Sequence, residues 1–204
     1  ETLAALRDLG PLSILDVKRG DIGSTMAGYA QAYLSDDAPT AADAITAPPY
    51  LGYGSLTPAL NLAEANGRGV FVLALTSNPE GVGVQHAVNG DQAVAAGIVE
   101  GVTASNAQAS GEGRLGSIGL VIGATVGGAV SDLGIDLQRA NGPLLAPGVG
   151  AQGAGPAELE AVFGTARRQV LASTSRGVLK AGPSIDELRK AASASAYEAA
   201  TALR

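Results

Sequence analysis

Short runs of β-branched and aliphatic residues alternate along this chain with stretches of helical pattern, at the spacing of βα units, and this alternation constrains the fold more than any other feature. Strands are predicted over residues 11–16, 43–46, 69–75, 117–123, 143–147 and 168–172, and helices over 22–34, 56–66, 90–109, 125–134, 156–163 and 184–203. Segment 110–116 reads as a surface loop and 36–41 as a turn. Six βα units follow one another without a change of composition, so residues 1–204 read as one domain without a linker.

A chain of 204 residues with 46% hydrophobic content has enough apolar side chains for a sizeable core. Its net charge of −6 offers no electrostatic footprint for nucleic acid or an anionic membrane, so a phosphate ligand has to be held by a local site. Without cysteine, neither a disulfide framework nor a thiolate nucleophile or metal site is available. No apolar stretch reaches membrane-spanning length, and no basic leader followed by an apolar core stands at the start. The expected location is the cytoplasm.

The first strand candidate ends in charge. Residues two apart on a strand share a face, so Ile14, Asp16 and Lys18 lie on one side and Ser13, Leu15 and Val17 on the other. A carboxylate and an ammonium side by side at a strand's carboxyl end, followed by Asp21 in the loop, form a cluster that is costly to desolvate. In parallel α/β folds the carboxyl ends of the strands are where active sites sit. An active-site cluster and a surface ion pair at a strand end are both open on this pattern alone.

Asp16, Lys18, Asp21 and Ile22 spell D-x-K-x-x-D-I, and the longer string DVKRGDIGST resembles the signature of the orotidine 5'-phosphate decarboxylase family in its actinobacterial-type branch. APPYLGYGSL at 47–56, LTSNPEG at 75–81, PGVGAQGAGP at 147–156 and TSRGVL at 174–179 are similar to later motifs of that family, in the same order. The resemblance covers nearly the whole chain and implies a TIM (β/α)8 barrel of which about six βα units are present. ETLAALRDLG then looks like the end of the second helix, and about 50 or more further residues are expected at the amino end, the size of two βα units. The ribose-binding aspartate and the first lysine of the family's charged array would lie in those units.

The resemblance implies removal of the carboxylate from C6 of orotidine 5'-phosphate, giving uridine 5'-phosphate in de novo pyrimidine biosynthesis, without metal or organic cofactor. Lys18 would stabilise and then protonate the carbanion, and Asp16 and Asp21 would favour its charged form and orient it. Asp21, Ile22 and Thr25 would reach the active site of a neighbouring subunit, making a homodimer a condition of activity. Read from the residues alone, Ile22 is equally a helix core residue, and Ser24 or Thr25 a cap.

At the phosphate end, Pro147, Gly148, Gly150, Gln152 and Gly153 follow the strand at 143–147, and Ser175, Arg176 and Gly177 follow the one at 168–172. The last two loops of such barrels commonly bind phosphate. Gln152 and Arg176 match the family's phosphate-gripping pair, while Arg167 and Arg168 read as solvated charges. GVGAQG also fits G-x-G-x-x-G, but no acidic residue about 20 positions later supports a dinucleotide site.

Ser77 and Asn78 stand where the family hydrogen-bonds the pyrimidine, and Ser-Asn-Pro is at the same time a turn signal. His86 reads as solvent-exposed, Tyr50 and Tyr53 as packing the loop after residues 43–46, and Asp43 either as a strand-start charge or as a partner of the array. The rival enzyme reading is a magnesium-dependent relative acting on a sugar phosphate, of the hexulose-phosphate synthase or keto-gulonate-phosphate decarboxylase type. The rival from another class is an inactive nucleotide-binding fragment.

Overall fold

Two strands of this protein are buried at every residue, Ala44–Ala47 and Ile118–Ile122, which is the signature of parallel strands covered on both faces. The computed structural model describes residues 1–149 and 154–203. In chain order its helices and strands are α1 Thr2–Leu9, β1 Ile14–Leu15, α2 Gly23–Leu34, β2 Ala44–Ala47, α3 Thr57–Ala65, β3 Gly69–Leu75, α4 Val82–Gln85, β4 Val88–Asn89, β5 Gln92–Ala93, α5 Val94–Ser105, α6 Ala107–Gly111, β6 Ile118–Ile122, α7 Ala129–Asp132, β7 Leu144–Pro147, α8 Pro156–Phe163, β8 Val170–Ser173, α9 Arg176–Leu179 and α10 Ile185–Ala202.

The strands hydrogen-bond in the order β1-β2-β3-β6-β7-β8, and β4 and β5 form a separate hairpin. Pairing is parallel where β1 meets β2, where β2 meets β3 and where β7 meets β8. Backbone contacts divide the chain into two compact units: Glu1–Ala74 with Gly97–Leu120 and Ala140–Pro143, and Leu75–Ala96 with Val121–Arg139 and Leu144–Arg204.

In the first unit α2 turns Met26, Ala30 and Leu34 inward at a spacing of four, and packs against α3, whose Ala59, Leu60 and Ala63 are buried. Small residues let helices lie close to the sheet. In the second unit α8 buries Leu159, Val162 and Phe163, and Pro156 at its first turn begins the helix where its missing N–H costs nothing.

Strand β3 and helix α8 match their predicted spans, and four spans differ for identifiable reasons. The first strand is two residues long because Val17 N–H donates to the Leu15 carbonyl at 2.9 Å, a γ-turn around Asp16 that ends the ladder. The helix expected over 90–109 starts only at Val94, since Gly90 at φ 69° makes the β4–β5 hairpin turn. The helix expected over 125–134 shrinks to Ala129–Asp132 between Gly127 at φ 61° and Gly134 at φ 64°. The last strand starts at Val170, after a 3-10 turn over Gly164–Gln169. Helices α4 and α9 and strand β4 lie outside every predicted span.

Asn106 breaks the long helical pattern between α5 and α6 and is buried. Its amide donates to the Ile118 and Ala140 carbonyls at 2.8 Å each and accepts from Ile118 N–H at 3.3 Å. Asn106→Ala would strand two buried carbonyls and one N–H. It is expected to lower stability by about 3 kcal/mol, read as a drop in the urea midpoint.

Candidate functional site

Beyond the γ-turn the chain carries Lys18 into the left-handed region at φ 45°. For a residue with a Cβ this costs about 1–2 kcal/mol, so something must hold it there. Two ties do. Lys18 N–H donates to Thr46 Oγ1 at 3.1 Å, and its ammonium pairs with the Asp16 carboxylate.

Thr46 Oγ1 in turn donates to Asp16 Oδ1 at 2.8 Å. Burial opposes ionisation of Asp16, but hydrogen bonds from Lys18 and Thr46 and the ammonium's charge outweigh it and hold the carboxyl below its ordinary value. The side chains of Lys18 and Asp16 remain 53% and 62% exposed. Burial alternates as the sequence pattern predicts although the strand is short: Ser13 is buried and Leu15 and Val17 half-buried, while Ile14, Asp16 and Lys18 are exposed.

Asp21 accepts from Ile22 N–H at 2.8 Å and takes part in no ion pair among the described residues. Ile22 is 61% exposed at the N-cap of α2, so it is not the core residue its type suggests. Ser24 and Thr25 lie inside the helix, exposed, and no side chain caps it.

At the other end of β1, Asp43 Oδ2 accepts from Ser13 N–H at 2.7 Å and Ser13 Oγ at 2.8 Å. This is the strand-start role. The bond from the Ser13 backbone leads in holding Asp43 below its ordinary value; burial opposes it, and the Ser13 hydroxyl and Arg68 charge add to it.

In the second unit, Ser77 and Asn78 follow β3 on an exposed turn. Gly123 supports it closely, as a Cβ there would lie 3.2 Å from Ser77 N. Asn78 stands at the N-cap position of a 3-10 turn at Pro79–Gly81 without capping it, and its amide is occupied locally: Oδ1 accepts from Thr76 Oγ1 at 2.7 Å and Nδ2 donates to Glu80 at 3.0 Å. Gln85 completes this chain, accepting from Thr76 N–H at 3.0 Å and donating to its hydroxyl at 2.7 Å. The turn reading of Ser-Asn-Pro therefore holds.

Pro147 is exposed at the end of β7, its carbonyl accepting from Ala124 N–H at 2.9 Å, and Gly148 comes next at φ 100°. Gln152, Gly150 and Gly153 lie outside the described residues. Ser175 is the N-cap of α9 and Arg176 its first residue; both are exposed, and the Arg176 guanidinium has no hydrogen bond or ion pair among the described residues. Arg167 is held by Glu160 and the Gly164 carbonyl, as suits a structural charge.

His86 is half-buried rather than exposed, and its backbone N–H donates to the Val82 carbonyl at 3.1 Å. Tyr53 packs on Gly101 and bonds Ser105 at 2.7 Å, whereas Tyr50 is 81% exposed. Thr46 and Gln85 were not singled out from sequence. A polar residue one position before the end of a buried strand was the available signal for Thr46; Gln85 had none.

Among the described residues no three His, Cys, Asp or Glu side chains gather to hold a metal ion, and no helix is long and apolar enough to cross a membrane. With the Ser13–Asp43 tie, a folded carboxyl below its ordinary 3.8 contributes stability that is complete above that value and is lost as pH falls through the lower folded one. Asp43→Asn is expected to cost about 1–3 kcal/mol at neutral pH, with the gap to wild type closing in acid, in urea melts run as a pH series.

Residues 1–191 match the family model described as orotidine 5'-phosphate decarboxylase / HUMPS family. A relative from Streptomyces coelicolor named orotidine 5'-phosphate decarboxylase is 56% identical over 204 residues, which are 99% of this chain and 70% of the relative. One of the same name from Salinispora arenicola is 54% identical over 192 residues, 94% of this chain and 66% of the relative. A solved structure of a provisionally assigned orotidine 5'-phosphate decarboxylase from Streptomyces avermitilis matches at TM-score 0.91 and 55% identity, covering 99% of this chain and 69% of that one. The Leishmania donovani OMP decarboxylase matches at TM-score 0.69 and 29% identity, over 95% and 69%. Among the described residues the chain thus carries six βα units of a (β/α)8 barrel fold.

Proposed function

The chain belongs to the orotidine 5'-phosphate decarboxylase / HUMPS family, and from that premise we propose Lys18 as the proton donor of a decarboxylation that uses neither metal nor organic cofactor. Decarboxylation of orotidine 5'-phosphate to uridine 5'-phosphate, in pyrimidine biosynthesis, is the function that the family and the relatives at 53–56% identity support. The observation that carries the mechanism is the Lys18–Asp16 pair on a strained backbone at the end of β1. An exposed ion pair is worth about 0–1 kcal/mol, too little to offset the left-handed residue that presents it. The bond from Lys18 N–H to the buried Thr46 holds that backbone instead, and a fixed placement of the amine is the result.

In the proposed step the bond from C6 to the carboxylate breaks, carbon dioxide leaves, and the electron pair stays on C6. The Lys18 ammonium stabilises that charge as it develops and then transfers a proton to it, regaining one from solvent. Asp16 orients the amine and opposes the substrate carboxylate. Asp21, Ile22 and Thr25 serve the neighbouring active site of a homodimer, which the exposure of Ile22 and the absence of any ion pair at Asp21 among the described residues support. Ser77 and Asn78 meet the pyrimidine. Pro147, Gln152, Ser175 and Arg176 hold the phosphate. The enzyme works in the cytoplasm.

The test is the ultraviolet change of orotidine 5'-phosphate in the presence of EDTA. Turnover that EDTA leaves intact, and that Lys18→Ala lowers by about 100-fold or more with an unchanged circular dichroism spectrum, is the expected result. An absolute magnesium requirement with a sugar phosphate would move the chain to the other branch of its family, and binding of uridine 5'-phosphate without turnover would make it a binding module.

Arg176→Ala is expected to raise KM by about 10- to 100-fold, the worth of a charge-assisted hydrogen bond, and to weaken product binding in step. Steady-state kinetics and calorimetry with uridine 5'-phosphate check this. Unchanged values would remove Arg176 from the site.

A further inference from the structure

We infer that Thr46 is a positioning residue for the reaction: its one hydroxyl joins the Lys18 backbone to the Asp16 carboxylate and so fixes where the amine points. The inference rests on the proposed role of Lys18. Thr46 is 1% exposed on β2, in register with Phe71 of β3, and every residue of that strand is buried. A buried hydroxyl needs partners, and apolar residues serve elsewhere along the same strand. The partners of Thr46 are the two ends of the candidate cluster: it accepts from Lys18 N–H at 3.1 Å and donates to Asp16 Oδ1 at 2.8 Å.

Those two bonds act on separate freedoms. The bond to Lys18 N–H holds a backbone that would otherwise leave φ 45° for the helical or extended region, and such a change redirects the whole side chain. The bond to Asp16 Oδ1 leaves Oδ2 turned to the ammonium, which fixes the carboxylate's rotation. Because Lys18 and Asp16 are both more than half exposed, packing does not restrain them. The rigid strand therefore positions the mobile pair through a single oxygen, and loose positioning of a reacting group costs rate out of proportion to its displacement.

Thr46→Val keeps the shape and the β-branch and removes the hydroxyl; Thr46→Ser keeps the hydroxyl. Steady-state decarboxylation by the two variants, together with uridine 5'-phosphate affinity and amide exchange at Lys18, tests the inference. Expected are a kcat lowered by about 10- to 100-fold in Thr46→Val with ligand affinity unchanged, activity close to wild type in Thr46→Ser, and loss of Lys18 amide protection in the valine variant alone. A wild-type kcat in Thr46→Val, an equal loss in both variants, or a loss of affinity in step with kcat would overturn it. If the unsubstituted chain does not decarboxylate at all, the proposed mechanism fails, while amide exchange still decides whether Thr46 holds the Lys18 backbone.

Discussion

Burial on both faces leaves strands such as β2 and β6 with no side of their own for charge, and the rest of the molecule is arranged around that restriction. Among the described residues the buried polar side chains are Ser13, Thr46 and Asn106. Each is a tie at a strand end. Ser13 locks the start of β1 to Asp43, Thr46 locks the turn after β1 to the end of β2, and Asn106 closes the entry to β6. Polar groups inside are permitted only where a backbone amide, a carbonyl or a carboxylate is within reach, and such groups gather where ladders stop.

Strain and exposure at Lys18 belong together. A surface amine on a relaxed backbone would sample many rotamers, whereas a left-handed residue pinned at its N–H presents its side chain from one direction. The cost of the backbone is met by the buried strand beside it rather than by the ion pair. Stability and placement are thus divided between two elements, with β2 rigid and the turn after β1 specialised.

The second unit distributes its polar groups differently. Around Ser77 the side chains of Thr76, Asn78, Glu80 and Gln85 bond one another in series, so the turn is stiffened from within. Gly81 makes room for this, since a Cβ there would lie 2.9 Å from Thr76 Oγ1 and 3.0 Å from Gln85 Nε2. Ser77 is left with an exposed side chain on that turn.

Local sequence determined the order of the six sheet strands and the longer helices between them, the alternation of buried and exposed residues around Ile14, and the clustering of Asp16 with Lys18, because side-chain period and near-neighbour spacing are set by covalent geometry. The motifs were enough to place the chain in its family. Tertiary structure alone decided that β1 stops after two residues, that Asp43 serves Ser13 and not Lys18, that Asn78 is bonded within its own turn, and that Thr46 stands between Lys18 and Asp16. Those outcomes depend on partners 28 to 30 residues away or on turns made by glycine and γ-geometry, and contacts between distant residues leave no periodic trace in the chain that makes them.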